Sequence, residues 1–260
     1  MKTMNFLSTK WIPDWRGWVL PILIVLAWDW MSRLDANHAY AFASLSQIAA
    51  AVNELWLSGE LTANVSASVA RALTGLLVGA SAGFIVGSLV AVSRTANILI
   101  TPIYHAIRQV PLLGLVPLFA LWFGNGDTSK LIVVSLSAFY PVVLSTFEGM
   151  LQVDYRYREV GQIYSLSPWQ VYRKIILPAS LPQIFTGFSL ALAFAWLSTI
   201  GSELLFTAGA GLGNLMMNAQ EASRMDILII VTFVIGILGY LMSLFIKLAG
   251  AHLFKWRNTH

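Results

Sequence analysis

The sequence predicts an all-α, polytopic membrane protein of about six transmembrane helices, and three observations carry that prediction. Charged residues make up only 11% of the 260 residues and hydrophobic ones 57%, far from the balance of a soluble domain. Mean hydropathy is +0.72. The apolar residues gather into runs at roughly 17–32, 68–93, 98–123, 130–150, 183–206 and 227–248, each long enough, at about 20 residues, to cross a bilayer. Lipid offers backbone groups no hydrogen-bond partners, so helices are the natural spanning form.

Taken in order, the first run is short and carries Asp29 between Trp28 and Trp30, a pairing typical of the interfacial aromatic belt. No A-x-A cleavage site follows it, so it reads as a retained span rather than a secretory signal. The segment 34–62 is more polar, and Ser46 to Leu57 reads as an amphipathic surface helix. The second run holds Gly75, Gly79, Gly83 and Gly87. Small residues every four positions form a groove that another helix can approach closely, and packing within one subunit is preferred here to a homodimer seam. The third run is interrupted by Pro111 and Pro117, and the fourth carries Glu148 at its inner end. The fifth carries Glu203 near its outer end, where a snorkelling charge is cheaper.

Orientation follows from the basic residues. With the N-terminus in the cytoplasm and alternating spans, Lys2, Lys10, Arg16, Arg94, Arg156, Arg158, Arg173, Lys174, Lys247, Lys255 and Arg257 fall inside or at the inner boundary. Arg33, Lys130 and Arg224 fall outside, while Arg71 and Arg108 sit within runs. That bias is the positive-inside pattern. It places both termini and the polar stretch 151–182 in the cytoplasm and the 34–62 segment outside.

The residues argue against chemistry within this chain. Cysteine is absent, which excludes disulfides and thiolate chemistry. The four histidines, His38, His105, His252 and His260, show no metal-ligand spacing, and no Ser-His-Asp set stands out. Gly209 to Gly213 lacks the Lys-Ser/Thr that closes a phosphate loop, and Gly124 to Lys130 has the wrong spacing. The excess of positive charge reads as Lys and Arg retained on the cytoplasmic side of a membrane protein rather than as a nucleic-acid surface. Ionisable groups within the runs are Asp29, Arg71, Arg108, Glu148 and Glu203; such groups face a bundle interior or a wet path. Arg108 reads as the deepest basic residue. Three residues before Pro111, it suits either an ion-pair or carbonyl clamp on a kinked helix or a contact to a passing anion.

The stretch Glu159 to Pro182, EVGQIYSLSPWQVYRKIILPASLP, lies between two apolar runs. Glu159, Ser165 six residues on, Ile175 ten further, then Leu177-Pro178 resemble the EAA loop of ABC-transporter permeases, E-A-A-x3-G-x9-I-x-L-P. Val160-Gly161 stands where that pattern has Ala-Ala, and Ser165 where it has Gly. Further matches include Arg108-Gln109-Val110-Pro111, Val116 to Gly124, Phe139-Tyr140-Pro141, Leu181 to Gly187, Trp196, Glu203, Gly211-Leu212-Gly213 and Met217-Asn218-Ala219. Together these stretches, from about Gly59 to Leu248, resemble the sulfonate, taurine, nitrate and bicarbonate group of binding-protein-dependent permeases, aliphatic sulfonate permeases most of all.

The resemblance implies a type I ABC importer permease fold and a non-catalytic translocation subunit of the inner membrane. It implies an N-terminal helix plus periplasmic amphipathic segment over 1–61, a transmembrane domain over 62–248 with a cytoplasmic coupling loop at 151–182, and a cytoplasmic tail at 249–260. Glu159, Gly161, Ser165, Ile175, Leu177 and Pro178 would dock a separate ATPase subunit, with Glu159 as polar anchor and Gly161 a small position facing the partner. Pro178 and Pro182 would mark where the loop helix stops and the next span begins. Arg108 and Glu203 are the candidates for the translocation path. ATP and Mg would be bound by the partner, and this chain would hold no cofactor. A periplasmic binding protein and a second permease copy, as a homodimer, complete the expected assembly. The expected cargo is a small anion, aliphatic sulfonate or taurine first and nitrate or bicarbonate next. A secondary anion transporter or a non-transport membrane assembly protein are the alternatives.

Overall fold

A computed structural model of the chain describes residues 16–32 and 43–254. Lys2, Lys10, Arg33, Lys255 and Arg257 of the charge count, and parts of the 34–62 segment and the tail, lie outside the described residues. All regular structure among the described residues is helical.

Helix α1, Arg16–Ser32, is followed by α2, Leu45–Leu57. The Trp28 indole donates to the Ala43 carbonyl at 3.0 Å and Asp29 accepts from the Leu45 N–H at 3.5 Å, so the aromatic end of α1 seats the start of α2. Ser44 and Gln47 form a reciprocal capping box there. Ala51 and Leu55, four apart, are the buried face of α2, as its amphipathic pattern predicts.

Gly59, at φ 73°, turns the chain into α3, Glu60–Val92. At 1.5 Å per residue its 33 residues run about 50 Å, more than a hydrocarbon core requires. Helix α4, Arg94–Ile107, breaks at Arg108 to Pro111 and resumes as a 3-10 turn, Leu112–Leu115, and α5, Val116–Phe123. The two halves are bent by 80°. Pro111 supplies no N–H and disfavours the helical conformation at Val110, which accounts for the break.

Helix α6, Asp127–Leu151, leads to two short helices, α7, Tyr155–Ile163, and α8, Pro168–Val171. A π-helical turn, Tyr172–Ile176, then joins α8 to α9, Leu177–Leu205. Helix α10, Leu212–Glu221, and α11, Met225–Leu253, complete the chain; α11 runs past residue 248 into the segment expected to be tail. Four helices are long and apolar enough to cross a membrane, α3, α6, the continuous α8–α9 rod and α11, and the bent α4–α5 pair makes a fifth. The shorter α1 accounts for the remaining expected run.

The two prolines do not separate loop from span. Pro168 to Leu205 is one helix of 38 residues. Within that helix the widened turn before Pro178, with the Leu177 N–H bonded to the Tyr172 carbonyl, makes room for its ring. Pro182 lies inside the helix.

The centre of the bundle is the crossing of α3, α6 and α9. A Cβ on Gly75 would stand 2.8 Å from Val134 Cβ, one on Gly83 2.8 Å from the Phe139 carbonyl, and one on Gly87 2.7 Å from the Val143 carbonyl. At Gly79 the added atom would collide with the Ser135 carbonyl oxygen. All four glycines therefore sit on α6 of the same chain. Gly149 on α6 opens similarly onto Gln183 of α9. Leu76, Ala80, Val134, Ala138, Val142, Ala191 and Ala195 fill the space around this crossing.

A buried charge network and an exposed two-helix loop

The α3, α6 and α9 bundle carries a polar assembly at each end. At the first, α3 presents Asn64, Ser68 and Arg71, spaced to share one face. They meet the N-terminus of α10, whose first N–H groups lack helical partners. Gly211 N–H donates to Asn64 Oδ1 at 2.7 Å, Leu212 N–H to Ser68 Oγ at 2.8 Å, and Gly213 N–H to Glu203 Oε2 at 2.9 Å. The Ser68 hydroxyl in turn donates to Glu203 at 2.8 Å. A carboxylate at a helix N-terminus also answers the positive end of its dipole. Gly211 and Gly213 are glycine because Glu203 occupies the space a side chain would need: a Cβ would lie 2.6 Å from Glu203 Oε1 and 2.6 Å from Glu203 Cβ respectively.

Arg71 completes the carboxylate's shell. One guanidinium nitrogen donates to Glu203, and the other to Asp127 at 2.6 Å and to the Ala210 carbonyl at 3.0 Å. Lys130, one turn into α6, donates to the Ala208 carbonyl and to Asn214 Oδ1, both at 2.6 Å, while Asn214 donates to the Phe206 carbonyl at 2.8 Å. Glu203 and Lys130 are both fully buried. Arg71, Lys130 and Glu203 are thus buried with every charge hydrogen-bonded, which is the condition for tolerating buried charge, while Asp127 meets Arg71 from the exposed edge of the site.

This geometry corrects one sequence expectation and adds to two others. Glu203 does not snorkel: it is 0% exposed and directed at α3 and α10 rather than at an interface. Lys130, counted as an outer charge, is equally buried, because the loop after α9 folds back over it with carbonyl oxygens. Arg108, though within an apolar run, is not buried in the bundle. It is exposed at the end of α4, its guanidinium 5.8 Å from the Tyr104 ring centroid, and Tyr104 ties α4 to α6 through the Tyr140 carbonyl at 2.7 Å. The most buried cations among the described residues are Lys130 and Arg71. Asn64, Ser68, Asp127 and Asn214 were not singled out from sequence; the i, i+4, i+7 polar face at the start of an apolar helix was the available signal.

Beside the network, Arg224 bonds Glu54 at 2.8 Å and Asp226 at 2.9 Å, clasping α2 to the start of α11. Its hydrogen bond holds the Glu54 carboxyl below the usual carboxylate range.

At the opposite end, the loop is built on Met150, Val153 and Ile176, packed with Phe84 of α3. Helix α7 ends in a Schellman turn: Ser165 is left-handed at φ 50° and the Leu166 N–H returns to the Gly161 carbonyl at 2.9 Å. The position where the resembled pattern has Gly is thus the one whose backbone favours glycine. Ser167 then caps α8 in a second capping box with Gln170. Trp169 and Tyr172 stack at 5.4 Å. Glu159, Ser165 and Pro178 are exposed, while Ile175 and Leu177 are half-buried. Gly161 does not face outward. It is buried, and a Cβ there would meet Val171 at 3.0 Å and Ile175 at 3.2 Å, so its smallness lets α7 lie on α8 and the π turn.

Residues 75–257 match the family of binding-protein-dependent transport system inner membrane components. The chain is 34% identical over 245 residues to an aliphatic sulfonates transport permease protein of Bacillus subtilis, covering 94% of this chain and 88% of that protein. To the protein of the same description in Escherichia coli it is 32% identical, covering 96% and 95%. A bicarbonate transport permease of Synechococcus elongatus is 29% identical over 69% of this chain and 65% of its own length. In three dimensions the chain superposes on the MetNI methionine ABC transporter in an inward-facing conformation with a TM-score of 0.62, at 19% identity over 73% of this chain and 92% of that one. The fold is that of a type I ABC importer permease, and the chain belongs to the family of binding-protein-dependent transport system inner membrane components.

Proposed function

We propose that this protein is the translocation subunit of an ATP-driven importer that moves a small anion across the inner membrane, aliphatic sulfonate or taurine first and nitrate or bicarbonate next. The observation that carries the proposal is the exposed Glu159 on a compact two-helix loop, set at the end of the bundle remote from the buried network. A surface helix that presents an exposed carboxylate and is seated through Gly161 on α8 and the π turn suits docking into a separate ATPase, which binds ATP and Mg. The strength of the sulfonate permease likeness supports the choice of anion.

In this reading two copies enclose a path, each with an ATPase at its loop, and a periplasmic binding protein delivers the anion from the α10 side. Both termini and the loop are cytoplasmic. Closure of the ATPases pushes on α7 and α8, and the continuous α8–α9 rod carries the movement through the membrane. Arg108, exposed at the 80° break between α4 and α5, is the cation available to the passing anion. Glu203 acts from behind the wall, holding α10 against α3 and α9.

Co-expression with the ATPase tests the proposal. Glu159→Lys should abolish co-purification and substrate-stimulated ATP hydrolysis in vesicles while membrane insertion survives; unchanged coupling would refute the docking role. Binding of a panel of sulfonates, nitrate and bicarbonate to the partner binding protein identifies the anion.

A further inference from the structure

Arg108 is held differently from the other well-placed arginines. It caps α4, its N–H bonded to the Tyr104 carbonyl at 3.1 Å, so the Tyr104 side chain lies one turn back on the same face. The guanidinium carbon is 5.8 Å from the Tyr104 ring centroid, within the ~6 Å reach of a cation–π contact. Among the described residues no carboxylate pairs with Arg108, whereas Arg71 and Arg224 are each held by two. The ring itself is fixed. Tyr104 is buried, its hydroxyl donates to the Tyr140 carbonyl of α6 at 2.7 Å, and the rings of His105 and Tyr140 stand 5.3 and 6.0 Å away. A carboxylate fixes an arginine by neutralising it and occupying its N–H donors. A ring face attracts the cation through its quadrupole and leaves charge and donors unspent.

We propose that Tyr104 is a positioning residue for the transported anion: its ring, pinned to α6, seats Arg108 at the α4–α5 break without neutralising it. The proposal rests on the reading of Arg108 as the cation met by the anion. An arginine that swings freely loses rotamer freedom at each encounter, and one already seated on a ring loses less.

The test is uptake per assembled complex in proteoliposomes supplied with the ATPase and the binding protein, with ethanesulfonate, taurine, nitrate and bicarbonate as probes. Tyr104→Phe and Tyr104→Leu both lose the bond to the Tyr140 carbonyl, and only leucine also loses the ring. Phenylalanine should keep most of the wild-type uptake. Leucine should lower it about two- to fivefold, the equivalent of one exposed cation–π contact. Tyr104→Met, a second ring-free variant, should match leucine and serves where leucine lowers the yield of complex. In an Arg108→Gln background the loss of the ring should cost nothing further. Equal losses in the phenylalanine and leucine variants, or an undiminished leucine effect without Arg108, would make Tyr104 a structural tie and overturn the proposal. Reduced uptake in Arg108→Gln with normal uptake in Tyr104→Leu refutes the ring's role alone. Normal uptake in Arg108→Gln, or no uptake of any probe by wild type, refutes the underlying reading of Arg108 and the proposal with it.

Discussion

The two ends of α9, about 40 Å apart along the helix at 1.5 Å per residue, handle polar groups in opposite ways. At the Leu177 end the described polar side chains of α7 and α8, Arg156, Glu159 and Gln170 among them, are exposed, while Gly161 and Ile176 are buried. At the Glu203 end the polar groups are turned inward and bonded to one another across α3, α6, α9 and α10. An outward polar surface keeps its hydrogen-bonding capacity for a partner. An inward one has already used that capacity on the fold. The same distinction separates two arginines that look alike in sequence: Arg108 has its charge to offer, and Arg71 does not.

Breaking the inward end should have the largest effect. Glu203→Ala would leave Arg71 with Asp127 and one carbonyl, and would strand the Gly213 N–H in a buried site. Removing one member of a buried ion pair costs about 3–5 kcal/mol, so folded yield in detergent should fall sharply. Glu203→Gln keeps an acceptor for Gly213 and should retain more of the fold than alanine. If the two variants unfold at the same temperature as wild type, the network is not what holds α10.

The loop was legible from sequence because its information is local. Glu159, Ser165, Ile175, Leu177 and Pro178 fall within twenty residues, and their spacing maps onto one local helix–turn–helix stretch, with Ser165 at the turn. The broken third run was equally legible, since Pro111 acts on its own neighbours. The network was not, because the bonds that tie it to α3 and α6 join residues 56 to 147 positions apart. Hydropathy treats Glu203 and Lys130 as end-of-span charges, and nothing local reveals that the chain from Phe206 to Gly213 folds back to bury them. The glycine repeat lay between these cases: its period announced a close-packed face, and the structure supplies α6 as what it meets.

The α3–α6 seam links the two ends, and Gly79 is its tightest point. Even alanine would drive a methyl group into the Ser135 carbonyl, and backbone cannot rotate away as a side chain can. Gly79→Ala should therefore destabilise by at least about 1–3 kcal/mol, the usual cost of overpacking. Gly236 on α11 is the control, with nothing within 4 Å of an added Cβ; Gly236→Ala should be neutral or stabilise by up to about 1 kcal/mol through helix propensity. Thermal unfolding of both variants in one detergent measures the difference.

The outward end holds a smaller, opposite effect. Ser165 adopts a left-handed conformation that costs a residue with a Cβ about 1–2 kcal/mol, while glycine's greater unfolded entropy recovers part of that. Ser165→Gly should stabilise the loop by about 0.5–1 kcal/mol, read as slower protease nicking between α7 and α8. Ser165→Val, with a β-branched side chain at the same φ, should accelerate it.

The smallest effect belongs to the clasp beside the network, where charges are paired yet exposed. The Arg224 hydrogen bond lowers the Glu54 carboxyl below its ordinary value, and Arg224 itself stays charged throughout. A carboxyl lowered by folding stabilises at pH values above its unfolded value of about 4.3. That contribution disappears as pH falls through the lowered folded value. Wild type and Glu54→Gln should therefore differ slightly in thermal stability near neutral pH and converge in acid. Added salt should shrink the neutral-pH difference, because the pair is solvent-exposed. The network offers the contrast: Glu203 and Arg71 lie out of water, so the same salt should leave the cost of Glu203→Ala unchanged. A salt-sensitive Glu203 variant would mean that water reaches the network and that the division between the two ends is one of degree.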